Sequence, residues 1–378
     1  MRIVRAELYE MVIPYLQPFI ISAGVMRERR SLVIVLQDES GNFGYGESPP
    51  DPLPFYSEET LSSARALLSE LLLPRVVGAE FETPEAIDRT LREGVRGNPF
   101  ARAGVETAGW DLFAARRKLG IGQLLADRLG HPAATEISSG VALGIPADRD
   151  PGTLRHRIAE ALEHGYRRVK IKVAPGWDAV PVSAAREALA GSGVPLTVDA
   201  NGAYEWPEHE PNLRALDDAE LLYIEQPLAP DELVGHAALA RLLRTPICLD
   251  ETLRDARAAR QIAALEGPRI WNIKVHRVGG LSEVCRIYRV ADSYAAQLWA
   301  GTMPESGIGS QAALATAALP RCLYPSDVEP SARWFGPGND VIEMTMNPEG
   351  QMSVPTSSIS GLLNMARFKA TSRLISAW

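Results

Sequence analysis

Charged side chains recur at nearly even intervals through the second half of this chain. They stand near the ends of short apolar runs, at Lys172, Asp199, Glu225, Asp250 and Lys274, with intervals of 27, 26, 25 and 24 residues. Each interval has the length of one strand, one helix and their loops. In a barrel of such units the strand ends meet at one mouth, so these five residues are predicted to converge there.

The acidic residues Asp199, Glu225 and Asp250 would then lie on three adjacent strands. Three carboxylates facing one cleft repel each other strongly where water is scarce. A hard divalent cation removes this repulsion, and oxygen ligands suit Mg²⁺ or Mn²⁺ better than Zn²⁺. We expect Asn201 and Glu251 to orient these ligands or to pair with a lysine. The alternative, three ordinary helix-capping or salt-bridging acids, explains the even spacing poorly.

The lysines suggest proton-transfer chemistry. In V-K-I-K-V, Lys170 and Lys172 share one face of a strand, because successive side chains alternate. Lys274 would lie across the mouth, so that a bound carboxylate substrate has a lysine on each side. A lysine acts as a base when its pKa falls toward neutrality, and Lys170 is the neighbouring cation predicted to lower the pKa of Lys172 and to reach the substrate carboxylate. The alternative is a structural lysine pair bridging to the carboxylates.

The elements that must position these residues begin near residue 137. There, short apolar runs alternate with amphipathic segments; the runs are 138–145, 169–173, 195–201, 221–227, 246–251, 269–275 and 297–301. Strand and helix alternation with a repeat near 25 residues predicts parallel βαβ units, and seven repeats in a row favour a closed barrel. A doubly wound open sheet is the alternative, but no G-x-G-x-x-G follows the first run.

The first part of the chain has a different pattern. Strand-like runs and a hairpin signal, D-E-S-G-N-F-G, precede three helical segments that begin near residues 57, 83 and 101. This half is predicted to be α+β.

Composition excludes several classes of protein. The 378 residues are 46% hydrophobic and 23% charged with a net charge of -8, which argues against disorder and against non-specific nucleic-acid binding. The three cysteines are scattered, without the spacing of a zinc site or a disulfide framework. No apolar stretch reaches 18 residues, and charges interrupt the apolar runs of the N-terminus. We therefore expect a soluble, cytoplasmic protein with no membrane partner.

Loops around the predicted mouth are candidates for substrate contact. A glycine-rich stretch after the seventh run, 299–310, would permit close backbone approach and begin a helix with free N–H groups. Two segments of the first half, 16–26 and 52–56, carry apolar and aromatic residues suited to a closing lid. The alternative is plain surface loops. The residues predicted to contact substrate are Phe19, Tyr56, Met303, Glu305, Ser306 and Gly307.

Taken together, the motifs K-x-K, D-x-N, E-Q-P, D-E and K-x-x-R-V-G-G, in this order, resemble the enolase superfamily. More narrowly they resemble its muconate-lactonizing subgroup and, within it, the o-succinylbenzoate synthase / N-succinylamino acid racemase family. The resemblance extends over nearly the whole chain. It implies an α/β fold, a (β/α)7β TIM-like barrel over residues 131–344, and an α+β capping domain over 1–130 that residues from about 345 to 378 complete.

The resemblance also implies an activity. Mg²⁺, or Mn²⁺, would bind to Asp199, Glu225 and Asp250, and Lys172 would remove the α-proton of a small carboxylate substrate to give an enediolate. In dehydration of 2-succinyl-6-hydroxy-2,4-cyclohexadiene-1-carboxylate, Lys172 would then protonate the departing hydroxyl in syn fashion, while Lys274 stays protonated. In racemisation of an N-succinylamino acid, the two lysines would alternate as base and acid. Family members form homo-oligomers, dimers or octamers.

Departures from the family pattern leave the preferred reaction open. Ala142 replaces a serine common in racemase-like members, His276 stands at a usually small position, and the glycine-rich stretch reads A-G-T-M-P-E-S-G. The absence of an Asp-x-Asp motif after the seventh run weakens the case for a dipeptide epimerase. Lys274, in place of a histidine, argues against the mandelate racemase branch. The alternatives kept open are a muconate-type cycloisomerase, a catalytically silent ligand-binding barrel and a Schiff-base aldolase.

Overall fold

The structure is a computed structural model that describes residues 1–21, 24–54 and 56–378, apart from the side chains of residues 19–21 and 24. Its strands are β1 (Ile3–Ile21), β2 (Gly24–Asp38), β3 (Phe43–Ser48), β4 (Glu136–Ser138), β5 (Val141–Leu143), β6 (Val169–Lys172), β7 (Leu196–Asp199), β8 (Ile224–Glu225), β9 (Ile247–Leu249), β10 (Ile270–Ile273), β11 (Gln297–Ala300), β12 (Gln351–Ser353) and β13 (Ser372–Ala377).

Its helices are α1 (Leu61–Leu67), a π-helical turn (Leu68–Leu72), α2 (Leu73–Val76), α3 (Pro84–Arg92), α4 (Pro99–Arg117), α5 (Ile121–Leu129), α6 (Pro151–Glu163), α7 (Ala179–Leu189), α8 (Glu210–Asp217), α9 (Leu233–Leu242), α10 (Ala256–Ala264), α11 (Val275–Val278), α12 (Leu281–Tyr294), α13 (Gly307–Ala317), α14 (Ser331–Phe335), α15 (Ile359–Leu362) and α16 (Met365–Thr371). Within the described ranges, no helix is both long enough and apolar enough to cross a membrane.

An antiparallel sheet forms the N-terminal cap. Its strand order is β13-β1-β2-β3, so the last strand of the chain lies beside the first. β1 and β2 pair from Ile3 with Asp38 to Ile21 with Gly24, with irregularities in register along the way. The C-terminal strand thus extends the N-terminal sheet. The exact domain boundaries stay a prediction.

Helix α4 packs closely on the cap sheet because two positions of β3 have no side chain. A Cβ atom added at Gly44 would lie 2.2 Å from the carbonyl oxygen of Ala108, and one at Gly46 would lie 2.2 Å from that of Gly104. Real Cβ atoms do not approach backbone oxygens so closely. The two glycines therefore set the separation between the sheet and the helix.

Gly46→Ala is expected to lower the free energy of unfolding by about 1–3 kcal/mol, because the added methyl group must push α4 away from the sheet. Chemical denaturation followed by fluorescence would measure it. Gly361→Ala is the matched control, since its new Cβ would meet Ser357 Oγ at an ordinary 3.5 Å. Equal stability of the Gly46 variant and this control would contradict the packing argument.

The second sheet is parallel, with the order β11-β10-β9-β8-β7-β6-β5. A helix follows each strand from β5 to β11 before the chain continues, which confirms the predicted α/β class and its repeat of strand and helix. The first apolar run, 138–145, divides in two. Its start belongs to β4, which pairs with β12 in a separate two-stranded sheet, and its centre forms β5.

The segment 321–327 joins the two edges of this sheet. On one side Leu298 N donates to Arg321 O at 2.8 Å, and Leu323 N donates back to Leu298 O at 3.0 Å. On the other side Gly140 N donates to Ser326 O at 2.8 Å, just before β5. The segment therefore occupies the position of the eighth strand, and the curled sheet closes into the predicted (β/α)7β barrel.

Candidate active site

The acidic residues lie at the carboxyl-terminal edge of three neighbouring barrel strands. Asp199 ends β7 and Glu225 ends β8, and the two residues are paired in register. Asp250 directly follows β9, two residues beyond Cys248, which is the partner of Glu225. The three carboxylates are buried, between 0% and 2% exposed. The mouth of a barrel is where active sites of this architecture are built.

Burial and mutual repulsion act strongly on these carboxylates. Burial raises the pKa of Glu225, and the neighbouring Asp199 carboxylate raises it further. Burial would also raise the pKa of Asp199, but the ammonium groups of Lys172 and Lys170 outweigh it and hold that pKa below its usual range. The carboxylates therefore depend on nearby positive charge to remain ionised.

Cationic side chains supply that charge. Within the described part of the chain, no three acidic, histidine or cysteine side chains form a ready-made metal-binding group. The pairs, measured from Nζ to the nearer carboxylate oxygen, are Lys172 with Asp199 at 2.5 Å, Lys170 with Glu225 at 3.0 Å and Lys274 with Asp250 at 2.9 Å. Each carboxylate is thus neutralised by a lysine.

The carboxylates nevertheless fit a hard divalent cation by the type of their donor atoms, since all three offer anionic oxygen. Asp250 Oδ2 is buried and accepts no hydrogen bond among the described residues, although Lys274 Nζ lies 2.9 Å away. Such an oxygen keeps a lone pair for a metal ion. Asp199, Glu225 and Asp250 could therefore hold Mg²⁺ or Mn²⁺ if the lysines withdraw slightly, and their role as ligands stays a prediction.

A hydrogen-bonded chain runs along one side of the mouth. Lys172 Nζ donates to Asn201 Oδ1 at 2.6 Å, and Asn201 Nδ2 donates to Glu251 Oε1 at 2.9 Å. The backbone of Asn201 has a φ of +45°, which turns the chain sharply after β7. The structure thus brings Asn201 and Glu251 together with Lys172, and their supporting role stays a prediction.

On the opposite side, Lys274 follows β10 and meets a residue of the cap. Its Nζ donates to Tyr56 Oη at 2.9 Å. Burial would lower the pKa of Lys274, but the Tyr56 hydroxyl and the Glu251 carboxylate outweigh it and raise the pKa well above its usual range. Lys172 on β6 and Lys274 after β10 therefore flank the three strands that carry the carboxylates.

Arg277 is a site residue that the sequence argument did not single out. Its Nη1 donates to Asp250 Oδ1, and Nη2 donates to the carbonyl of Asn272 at 3.0 Å. The signal was present in the motif K-x-x-R, because one turn of helix brings the arginine back beside Lys274.

Lys170 does not stand beside Lys172 as an isolated cation. Its Nζ lies 2.5 Å from Asp327 Oδ2, 3.0 Å from Glu225 and 3.6 Å from Asp199. Burial would lower the pKa of Lys170, but these carboxylates outweigh it and raise the pKa well above its usual range. The charge that was expected to act on Lys172 is therefore compensated locally, mainly by a carboxylate that the sequence argument missed.

That carboxylate, Asp327, belongs to the segment that closes the barrel. It accepts a hydrogen bond from the fully buried Arg168 as well as from Lys170. Burial would raise the pKa of Asp327, but the two cations outweigh it and hold the pKa well below its usual range. The available signal was spacing, since Asp327 follows Ala300 by 27 residues, one further unit of the repeat.

Gln226 fixes the loop that carries Asp250. Its side-chain oxygen accepts hydrogen bonds from the backbone N–H groups of Asp250 and Thr252, at 3.0 and 3.1 Å. Its amide donates to Leu228 O at 2.9 Å. The E-Q-P motif therefore pairs a candidate ligand with a residue that positions the next one.

His236 packs beneath this loop as a neutral imidazole. Its Nδ1 donates to Glu232 O at 2.8 Å, and its Nε2 accepts from Leu228 N at 3.3 Å. Burial lowers the pKa of His236 to about 4. The unfolded chain binds this proton near pH 6.5, so stability present above pH 6.5 is lost as the pH falls toward 4.

His236→Asn is therefore expected to flatten the dependence of unfolding free energy on pH between 6.5 and 4, where wild type loses up to about 3 kcal/mol through this group. Urea denaturation at several pH values would measure the two slopes. His156→Asn is the control, because His156 is exposed and should leave the wild-type slope unchanged. Parallel curves for wild type and His236→Asn would contradict the assignment.

The predicted contact residues of the glycine-rich stretch are engaged with the cap and with their own loop. Ser306 Oγ donates to Glu47 Oε2 at 2.5 Å, and Gly307 N donates to Asp340 at 3.0 Å. Glu305 accepts from Met303 N at 2.5 Å. The N–H groups expected to be free at this helix start are thus largely occupied by carboxylates.

Substrate contact by Met303, Glu305, Ser306 and Gly307 stays a prediction, and all four are buried. The side chain of Phe19 lies outside the described residues. Tyr56 is described, and it reaches the mouth.

The two departures noted in the sequence occupy different places. Ala142 on β5 donates its N–H to Glu329 at 3.0 Å and lines a cleft of about 450 Å³ beside α6. His276 is 2% exposed and lies 3.8 Å from Glu305, with its pKa lowered to about 4 by burial. His276 is therefore a neutral side chain between the barrel and the cap.

Comparison with known proteins extends over both parts of the chain. Residues 5–126 match the family model described as mandelate racemase / muconate lactonizing enzyme, N-terminal domain, and residues 153–362 match the model described as enolase C-terminal domain-like. An N-succinylamino acid racemase from Thermus thermophilus is 42% identical over 357 residues, 94% of this chain and 93% of that protein.

An o-succinylbenzoate synthase from Enterococcus faecalis is 36% identical over 356 residues, 94% of each chain. Among solved structures, an enolase superfamily member from Listeria innocua superposes with a TM-score of 0.91 at 34% identity, over 100% of this chain and 98% of that one. The cap and the barrel of this chain thus both have counterparts in the Listeria structure.

Proposed function

This chain belongs to the mandelate racemase / muconate lactonizing enzyme family of the enolase superfamily, and we propose that it is a divalent-metal-dependent o-succinylbenzoate synthase that also racemises N-succinylamino acids. The observation that carries the proposal is the placement of Lys172 and Lys274 on either side of three strands with buried carboxylates. A substrate held between the lysines can lose or gain an α-proton from either face.

Charge supports a substrate with two carboxylates. Around the candidate ligands, the cations Arg168, Lys170, Lys172, Lys274 and Arg277 lie among the carboxylates Asp199, Glu225, Asp250, Glu251 and Asp327. A bound divalent cation adds positive charge to this group, which favours a dianion. Both the cyclohexadiene carboxylate and an N-succinylamino acid carry two carboxylates.

The site residues have different roles in the proposed reaction. Asp199, Glu225 and Asp250 would hold a divalent cation, whose positive charge would lower the cost of α-proton loss from the substrate. Lys172 Nζ takes the α-proton, and in dehydration it returns that proton to the departing hydroxyl. In racemisation one lysine takes the proton and the other gives a proton to the opposite face of the carbanion. Asn201 holds Lys172 in place during these steps.

The test is turnover of 2-succinyl-6-hydroxy-2,4-cyclohexadiene-1-carboxylate by Mg²⁺-loaded protein, beside N-succinylphenylalanine in D₂O. Dehydration would support the synthase, and α-deuterium exchange with racemisation would support the second activity. No reaction with either substrate, with and without metal, would refute the proposal. A muconate-type cycloisomerase would instead turn over muconate in the same assay.

We further propose that the enzyme works in the cytoplasm as a homo-oligomer, a dimer or an octamer. The cysteines Cys248, Cys285 and Cys322 are free thiols, which suits a reducing compartment. The oligomeric state rests on resemblance to the family, and size-exclusion chromatography with light scattering would measure it.

A further inference from the structure

A side chain of the cap touches one of the two flanking lysines. Lys274 Nζ donates to Tyr56 Oη at 2.9 Å and lies 4.7 Å from the centre of the tyrosine ring. Arg277 Nη1 donates to the same oxygen at 3.3 Å. Tyr56 therefore provides both an acceptor and a π face to the ammonium group.

The chain on either side of Tyr56, residues 49–54 and 56–59, is bonded to other parts of the cap. At its start Arg29, which is 2% exposed, donates to Pro49 O at 2.9 Å and lies 3.5 Å from Asp51. At its end the Glu59 carboxylate accepts two backbone hydrogen bonds of 2.8 Å from the first turn of α4. Tyr56 therefore lies three residues before a side chain that is anchored to α4.

The other lysine is held differently. Among the described residues, the hydrogen bonds of Lys172 go to Asp199 Oδ2 at 2.5 Å and to Asn201 Oδ1 at 2.6 Å. Both partners belong to the barrel, at and just beyond the end of β7. The two lysines therefore differ in the part of the molecule that positions them.

We propose that Tyr56 is a positioning residue for Lys274, so that proton transfer on the Lys274 face of the substrate depends on the cap while transfer on the Lys172 face does not. The inference rests on the proposed function. In racemisation the lysine that faces the α-hydrogen removes it and the opposite lysine returns a proton, so the two enantiomers begin the reaction at different lysines. Loss of the Tyr56 hydroxyl should therefore affect the two enantiomers unequally.

The experiment measures α-proton exchange of each enantiomer of N-succinylphenylalanine in D₂O by NMR, at early times and with saturating Mg²⁺. Lys274→Ala first identifies the enantiomer whose exchange begins at Lys274, because that exchange is lost while the other enantiomer still exchanges. Tyr56→Phe keeps the ring and removes the hydroxyl. It is expected to slow exchange of the Lys274-dependent enantiomer by about tenfold and to change the other by less than about threefold.

Tyr9→Phe is the matched control, since it removes a cap hydroxyl that donates to Glu7 at 2.7 Å, away from the barrel mouth. It should leave both enantiomers unchanged. Tyr56→Leu, which also removes the ring, should slow the same enantiomer further; it provides the same comparison if the phenylalanine variant proves unstable. Equal slowing of both enantiomers, or of neither, would overturn the inference. A wild-type protein that exchanges neither enantiomer would instead overturn the proposed racemase activity, and the inference with it.

Discussion

Replacing Lys172 with alanine is expected to lower kcat for dehydration and for racemisation by about 10⁴-fold, the upper range for loss of a positioned acid–base group. Dehydration uses this lysine to remove the α-proton and to protonate the departing hydroxyl, and racemisation uses it on one of the two faces. Steady-state kinetics with both substrates would measure the loss. Exchange of one enantiomer should survive in this variant, because Lys274 remains.

Metal binding should be retained in the same variant. Lys172 Nζ pairs with Asp199 at 2.5 Å, so its removal leaves that carboxylate with less competition for a cation. Titration with Mn²⁺, monitored by the EPR signal of the free ion, is expected to show a metal affinity equal to or above that of wild type. Lys369→Ala removes an exposed lysine of α16 and is the control. A Lys172→Ala protein that retains more than about a tenth of wild-type kcat would contradict the assignment.

The positions of the charged strand ends could be read from the sequence because two simple rules determine them. Side chains alternate along a strand, which places Lys170 and Lys172 on one face, and parallel strands joined by helices end at one edge of the sheet. Both rules act over short distances or repeat at a fixed interval. The structure accordingly pairs Lys172 with Asp199 and Asp199 with Glu225 in register.

The eighth strand of the predicted (β/α)7β barrel was not located in the sequence, because the segment that forms it does not look like a strand. The run C-L-Y-P-S-D-V-E is interrupted by Pro325, which lacks the N–H that a central strand donates. In the structure this run forms two isolated β-bridges, one with Leu298 and one with Ser139. Asp327 was therefore overlooked, and with it the partner that compensates Lys170.

Local sequence patterns could not predict the contacts between the cap and the barrel. The hydrogen bond between Tyr56 and Lys274 joins residues 218 positions apart. It depends on how the two parts of the chain dock. The contact of Ser306 with Glu47 is of the same kind and turns an expected ligand-facing helix start toward the cap. Such contacts follow from three-dimensional packing, which periodicity and turn signals do not encode.

Asp327→Asn is expected to weaken metal binding by about 10- to 100-fold, although Asp327 is not a predicted ligand. In wild type its carboxylate neutralises two buried cations, Arg168 and Lys170. Without it, Lys170 must rely on Glu225 and Asp199, the carboxylates that a metal ion needs. The same change removes one partner of a buried charge network and should lower the free energy of unfolding by about 3–5 kcal/mol.

Mn²⁺ titration and thermal unfolding would measure the two effects separately. Asp292→Asn is the matched control, because Asp292 pairs with Arg321 at 2.6 Å but is 53% exposed, so its pair should contribute little to stability and nothing to metal binding. A metal affinity unchanged by Asp327→Asn would show that Lys170 does not compete for the carboxylates.

A second substitution distinguishes an effect of charge on metal affinity from an effect of packing. Adding Lys170→Gln to Asp327→Asn removes the cation that competes for Glu225 and Asp199, so the double variant is expected to recover most of the lost metal affinity. Recovery would mean that the barrel interior is held near electrical balance, with Asp327 setting how strongly Lys170 competes for Glu225 and Asp199. If the double variant instead loses still more metal affinity, both residues act by packing, because a second packing defect adds to the first.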